Sequence, residues 1–384
     1  MKKRKRTTTK KKPSLKKKKN EPSPSQTPNP SLSDDLLVSC FARVSKLYYP
    51  TLSLVSKSFG SLLASPELYK TRSLLNRTES CLYVCLQFPT DPNPLWFTLC
   101  LKPTLTKNNT RKKKSSSSGY VLAALPIPHS PSAQWLVQVA VGSSIYNIGG
   151  LINILDCQSH TWHEGPRMQT LRNFPAATVV DGKIYVAGGC REEDCIPSKW
   201  MEVFDPNTQT WEFVLGPFAD HCERWIEKSA VIDGEIYMFG HKSVAYKPKE
   251  EKWQVIQGLT SLEFGWAKAS YCVVDNILYC YNNLHGIKCY DSKLGHWIRL
   301  VGLKGLPKFA KYSCVQLAEY GGKLVVLWDK YLPCSGYQDK KIWCAVINLE
   351  RRSIKEMWGE VEWLDAVLTV PKYYKFVCAL SPTF

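Results

Sequence analysis

Residues 174–213 read FPAATVVDGKIYVAGGCREEDCIPSKWMEVFDPNTQTWEF. The stretch divides into four short apolar runs separated by turn residues. Ala176 to Val180 and Lys183 to Ala187 flank Asp181-Gly182, the kind of pair that a two-residue hairpin turn with positive φ selects. Gly188-Gly189 stops the second run. Trp200 to Phe204 and Thr210 to Phe213 flank Asp205-Pro206-Asn207-Thr208, where proline fixes φ and the Asp and Asn side chains bond the local backbone. Such a four-stranded antiparallel unit has two apolar faces and buries neither alone, so it needs copies of itself as neighbours.

The copies are present. A turn residue followed six positions later by Trp occurs as Asp156 to Trp162, Asp205 to Trp211, Lys247 to Trp253 and Asp291 to Trp297, with a worn copy pairing Asn348 with Ile354. Upstream of these lie the aliphatic strands Ile145-Tyr146, Ile184-Tyr185, Ile236-Tyr237, Leu278-Tyr279 and Leu324-Val325, spaced 39, 52, 42 and 46 residues apart. That period belongs to propeller blades rather than to helical solenoids. The segments IYNIGG and IYVAGG, with their spaced Trp, resemble the kelch repeat. Its double glycine stands at Gly149-Gly150 and Gly188-Gly189, becomes Phe239-Gly240 in the third copy, and is absent at Tyr281-Asn282 and Leu327-Trp328. The resemblance implies a mostly β, kelch-type propeller over 77–384. Five readable modules plus one closing module make six blades, and the spacing leaves a seventh open.

The formal charge of +18 is confined to two segments. Residues 1–20 hold twelve Lys and Arg and no acid, and 102–114 hold six and no acid, so the rest of the chain sums to zero. No excess positive field belongs to the folded body, and nucleic-acid contact is expected only through the arm. Like-charge repulsion and the prolines of EPSPSQTPNP make 1–30 a disordered arm, and KKRKR resembles a nuclear-import signal, which points to the nucleus, the cytoplasm or both. The Ser-rich insertion at 102–119 reads as a mobile loop. Fifteen cysteines without a secretory leader suggest free thiols in a reducing compartment, and no apolar stretch reaches the roughly 18 residues of a membrane span.

Residues 31–76 differ in kind. Ser33 is placed to cap a helix with Asp34 and Asp35 in its first turn; Tyr48-Tyr49-Pro50 and Ser65-Pro66-Glu67 mark two further starts. Three helices in about 45 residues make a marginal domain that is expected to complete its core against a partner. The whole segment, SLSDDLLVSCFARVSKLYYPTLSLVSKSFGSLLASPELYKTRSLL, resembles the F-box of plant F-box/kelch-repeat proteins. The resemblance implies that Leu32, Asp35, Leu36, Leu37, Leu52, Val55 and Ser56 lie on or behind the surface that grips the Skp adaptor of a cullin ubiquitin ligase. Ser33 stands where the family usually has Pro, and Gly60 where it usually has Arg.

Cys81 to Phe88 and Leu95 to Leu101 are half a blade, completed by Val361 to Val367 or Phe376 to Leu380 from the other terminus, since mixing strands from both ends closes a ring. Strands alternate in direction, so connections 1–2 and 3–4 share one rim and connections 2–3 and 4–1 the other. Tight turns occupy the first rim. Long loops occupy the second, and Arg191, Glu193, His221, Arg224, Trp225, Trp266, His285 and Tyr331 on them are the candidate target-binding residues. Reactive chemistry is poorly supported. Cys190, Cys195, His221 and Cys222 lack a second matched pair for zinc, His160 and His163 read as surface polar residues, and no nucleotide-binding or nucleophile motif occurs. The expectation is therefore a non-catalytic substrate adaptor without cofactor, with a propeller enzyme or ligand sensor, or a nucleic-acid-associated nuclear protein, as the alternatives.

Overall fold

The computed structural model of the chain describes residues 32–89, 91–102, 119–132, 136–226, 228–256, 270–292 and 295–384. The basic arm, nearly all of the 102–119 insertion and Trp266 lie outside the described residues.

The N-terminal module contains α1 (Asp34–Phe41), α2 (Tyr49–Leu52), α3 (Lys57–Leu63) and α4 (Pro66–Leu74) around a core of Val38, Phe41, Ala42, Tyr49, Leu63 and Leu68. The single helix expected after Tyr48 is two, because the Ser56 hydroxyl accepts the Phe59 N–H at 3.1 Å and starts a new one. Ser33 does occupy the N-cap of α1 in extended geometry, but its side chain makes no capping bond; only its carbonyl accepts, from Leu37 N–H at 3.0 Å.

The described strands of the remainder fall into four-stranded antiparallel units. The first combines β1 (Tyr83–Gln87), β2 (Leu95–Leu101), β3 (Tyr120–Ala124) and, from the far end, β24 (Lys375–Leu380), in the order β24-β1-β2-β3. The next holds β4 (Val137–Val141), β5 (Ser144–Ile148), β6 (Ile152–Asp156) and β7 (Thr161–Glu164). Residues 174–213 supply β8 (Ala176–Val180), β9 (Lys183–Ala187), β10 (Met201–Asp205) and β11 (Thr210–Val214). Then come β12 (Lys228–Ile232), β13 (Glu235–Phe239), β14 (Val244–Lys247) and β15 (Lys252–Val255). The last two units join into one eight-stranded sheet. They are β16 (Ser270–Val274), β17 (Ile277–Asn282), β18 (Gly286–Asp291) and β19 (His296–Val301), then β20 (Val315–Tyr320), β21 (Lys323–Tyr331), β22 (Asp339–Ser353) and β23 (Glu356–Pro371). The seam is a parallel pairing of Leu300 with Met357 and Val301 with Trp358.

The units form a ring. The first strands β24, β4, β8, β12, β16 and β20 each touch the next in a closed cycle. One apolar cluster fills each gap between neighbouring units. Strand β9 shows the cause: Ile184 and Val186 point into the cluster shared with the preceding unit, and Tyr185 and Ala187 into the one shared with the following unit. A strand apolar on both faces is soluble only between two others. In four of the units the repeated Trp lies on the fourth strand and pairs with the residue before the turn, as Leu155 with Trp162, Phe204 with Trp211, Tyr246 with Trp253 and Tyr290 with Trp297. The turns are as tight as their residues imply, with Asp181 and Gly182 at φ 49° and 77°, and Asp233 and Gly234 at 52° and 76°.

Two expectations need correction. Of the two candidate closing segments, Lys375–Leu380 pairs with β1, whereas 361–367 lies inside β23 and pairs with β22. The other missing strand is β3, immediately after the insertion. Asn348 is no turn residue either. It pairs with Glu360 mid-strand, because β22 and β23 run to 15 and 16 residues and move the hairpin out to Ile354.

Candidate functional site

The helical module sits against the rim of tight turns. Its 3-10 turn at Lys46–Tyr48 and α2 contact β2, and the chain beyond β24 doubles back beneath it. There Glu79 N–H donates to the Phe384 carbonyl and Phe384 N–H to the Glu79 carbonyl, both at 3.1 Å, while Thr383 N–H reaches the carbonyl of Gly142 in the β4–β5 turn at 2.8 Å. Phe384 is buried against Tyr69 of α4 and Tyr83 of β1. Arg72, fully buried on α4, donates to the carbonyl of Val44 at 2.8 Å and the Tyr49 hydroxyl at 3.0 Å, and pairs with Glu79 at 3.3 Å. Glu79 in turn accepts Lys46 N–H at 2.9 Å. The module and the ring therefore share a fixed joint rather than a loose tether.

His160 belongs to that joint. It does not read correctly as a plain surface residue: Tyr83 Oη lies 3.1 Å from its Nε2, and burial lowers its pKa to about 4. His163 is exposed.

Away from the joint, the module leaves apolar side chains uncovered. Leu32, Leu36, Leu54 and Val55 are 60, 54, 78 and 64% exposed. Asp35 and Ser56 are exposed beside them in sequence, and Leu37 and Leu52 pack half-buried on the helical core. The expected surface thus divides into side chains open to a visitor and side chains that hold the open ones in place.

The opposite rim carries the loops. Gly189, at φ 66°, donates its N–H to the Arg224 carbonyl at 2.7 Å, and a Cβ there would stand 2.6 Å from the Asn173 carbonyl oxygen. Only glycine permits that approach. Trp200 Nε1–H donates to the Glu223 carbonyl at 2.7 Å, and the Glu223 carboxylate accepts the N–H groups of His241 and Lys242, each at 2.8 Å. The segment bearing Arg224 and Trp225 is thereby anchored on both sides. Both residues are exposed, with the Arg224 guanidinium 4.9 Å from the Trp225 ring centroid and Phe174 6.2 Å from the same ring. Arg191 and Glu193 are exposed on the β9–β10 connection, 3.9 Å apart. His285 is exposed between β17 and β18.

Two of the candidate rim residues are less available than their loops suggest. The His221 side chain is only 17% exposed and lies 2.9 Å from Asp220. Tyr331 is half-buried, packed by Tyr312 at 5.5 Å and Tyr337 at 6.3 Å, with Lys340 Nζ 4.8 Å from its ring. Its partners are the more open ones, Tyr312 at 66% and Tyr337 at 58%. These, with Phe218, Leu284 and Tyr373, are rim residues that reading for charge and Trp missed. The signal available was only a large apolar residue between two strands, which does not tell an inward side chain from an outward one. Arg172, two residues from Phe174, goes the other way: fully buried, it pairs with Glu202 at 2.9 Å and donates to the carbonyls of Gly188, Lys199 and Trp200.

Among the described residues no group of three or more His, Cys, Asp or Glu is placed to hold a metal, and no helix is long and apolar enough to cross a membrane. Cys190 and Cys195 do approach, with sulfurs 2.7 Å apart, and burial pushes the Cys195 thiol up to about 12.

A helical module with an uncovered apolar surface, fixed to a kelch-type ring whose far rim displays anchored loops, defines a two-faced adaptor. The comparisons agree. The family model described as FKB95, Kelch-repeats domain matches residues 96–368, and the F-box domain model matches residues 30–71. Among similar proteins are three F-box/kelch-repeat proteins of Arabidopsis thaliana. They are 57% identical over 94% of this chain and 97% of the relative, 58% over 94 and 96%, and 50% over 94 and 95%. The chain belongs to the plant F-box/kelch-repeat family. An F-box implies binding to a Skp-type adaptor and kelch repeats imply binding to a target protein, the general role of an F-box substrate adaptor.

Proposed function

We propose that this chain is the target-recognition subunit of a Skp–cullin–F-box ubiquitin ligase. The F-box surface around Leu36 and Val55 docks on the Skp-type adaptor and through it on the cullin, and the loop rim holds a protein to be ubiquitinated. The observation that carries the reading is the uneven covering of one small module: Tyr69, Arg72 and Lys46 are spent on the joint with the ring, while Leu32, Leu36, Leu54 and Val55 stay open. Exposed apolar side chains in such number on so small a module mark an interaction surface. The chain itself makes and breaks no bond. It contributes proximity, converting a bimolecular transfer into a nearly unimolecular one. With KKRKR acting as an import signal, the complex works in the nucleus as well as the cytoplasm.

The test is a pull-down of a Skp-type adaptor by the full chain carrying Leu36→Lys and Val55→Lys. Retention falls by roughly a hundredfold or more, about 2.7 kcal/mol, with the unfolding temperature unchanged. Undiminished retention sinks the docking role.

A further inference from the structure

Between the helical module and the ring lies a cavity of about 360 Å³. Its wall includes Tyr49, Leu63 and Tyr69 from the helices, Leu99 from β2, and Tyr83 and His160 below. The tyrosine hydroxyls are already engaged: Tyr49 donates to the Phe41 carbonyl at 2.9 Å, Tyr69 to that of Leu63 at 3.0 Å, and Tyr83 to that of Cys157 at 3.1 Å. Lys46 also lines the cavity, and it is the exception. Its Nζ is sealed from solvent with no nitrogen or oxygen acceptor; the Cys81 thiol is the polar group that faces it, and it rests on the ring of Phe384 with the ring of Tyr69 4.7 Å away.

Among the described residues the carboxylate beside Lys46 and Arg72 is Glu79, and its oxygens are taken by Arg72, Ser45 and the Lys46 backbone N–H. Asp156 acts through its charge on Tyr69, Cys157 and His160. The other titratable neighbours, Cys81, Cys157 and His160, supply no compensating charge. Burial pushes both thiols up and the imidazole down to about 4, leaving all three neutral at neutral pH. Burial, aided by Arg72, lowers the Lys46 amine to about 8. A buried cation without an anion is costly, and a ligand that supplies one recovers that cost. Lys46 lines the cavity wall on a flexible stem, so an occupant of the cavity lies within reach of its amine.

We propose that this cavity binds a small weak acid with an apolar body, its carboxylate paired with Lys46 and its body packed against Tyr49, Leu63, Tyr69 and Leu99. The volume lies at the lower end of the roughly 300–1,000 Å³ typical of ligand sites. A single available amine suits one carboxylate; a phosphate group calls for several donors. Because the wall belongs to both the module and the ring, an occupant stabilises the joint itself. This site is independent of the ligase reading.

The experiment uses the full chain, phenylacetate and naphthylacetate as probes, phenylacetamide as the uncharged match, and inorganic phosphate, read by thermal unfolding and calorimetric titration. The acids raise the unfolding temperature at millimolar concentration; the amide and phosphate do not. Lys46→Met weakens acid binding by roughly tenfold or more. Affinity of the unaltered protein falls as pH rises past about 8, where the amine loses its proton. Equal binding of acid and amide, unchanged binding in Lys46→Met, or no response to either acid overturns the proposal. If Lys46→Met does not fold, the acid–amide contrast and the pH profile of the unaltered protein decide it.

Discussion

The two rims of this ring are built from the same strands and do opposite work. On one, connections such as Asp181-Gly182 and Asp233-Gly234 close in two residues with positive φ, and that rim receives the helical module and the end of the chain. On the other, most connections are longer, and they carry Leu171, Phe174, Phe218, Trp225, Leu284 and Tyr312 exposed, whereas Ile354 is the one exposed large apolar side chain in the described turns of the first rim. Turn economy, more than strand content, assigns the faces. A two-residue turn has no atoms to spare for a visitor, so its rim can be packed against the protein itself. The long connections are left to solvent and to partners.

Substitutions on each rim test this division of labour. The largest effect is expected at Arg172, which sits among the loops yet serves the ring: Arg172→Met leaves Glu202 buried without its countercharge, held only by the N–H groups of Gln169 and Thr170, and costs about 3–5 kcal/mol, read by urea unfolding, with adaptor docking spared in the molecules that remain folded. Next, Arg191→Glu with Arg224→Glu should weaken target capture by roughly tenfold and leave Skp-type adaptor retention untouched; equal loss of both would mean that the two rims are not separate in function.

A smaller effect is expected at His160 on the turn rim. Its folded pKa of about 4 lies below the 6.5 of the unfolded chain, so as pH falls through that interval the unfolded chain takes up the proton and the folded chain is destabilised. His160→Gln removes that contribution, and the unfolding temperature then declines less steeply with acid, by roughly 2 °C over the interval. Ile354→Lys is the control with the smallest effect, within about 0.5 kcal/mol in stability, and retention of both partners should be unaltered. A loss of target capture there would erase the distinction between the rims.

Much of this was written locally. The Asp-Gly turns, the Trp six residues beyond each turn, and strands apolar on both faces depend on neighbours within a few positions, and such features survive as patterns in the chain. The candidate site was legible to a lesser degree. Leu36 and Val55 stood out through the order of the whole helical segment, while Tyr312 and Tyr337 did not, because an aromatic in a loop looks the same whether it ends inward or outward.

Three outcomes required the assembled molecule. Lys375–Leu380, rather than 361–367, closes the first unit, since both are suitable strands and only the geometry of the closed ring selects between them. Arg172 and Arg191 are the same residue type on neighbouring loops, yet one is sealed on Glu202 and the other is exposed, a difference set by what the ring brings against each. The joint of Lys46, Arg72, Glu79, His160 and Phe384 joins positions more than 300 residues apart. Turn chemistry and alternation act between adjacent residues and can be read along the chain; burial and charge pairing across such distances exist only once the ring has closed.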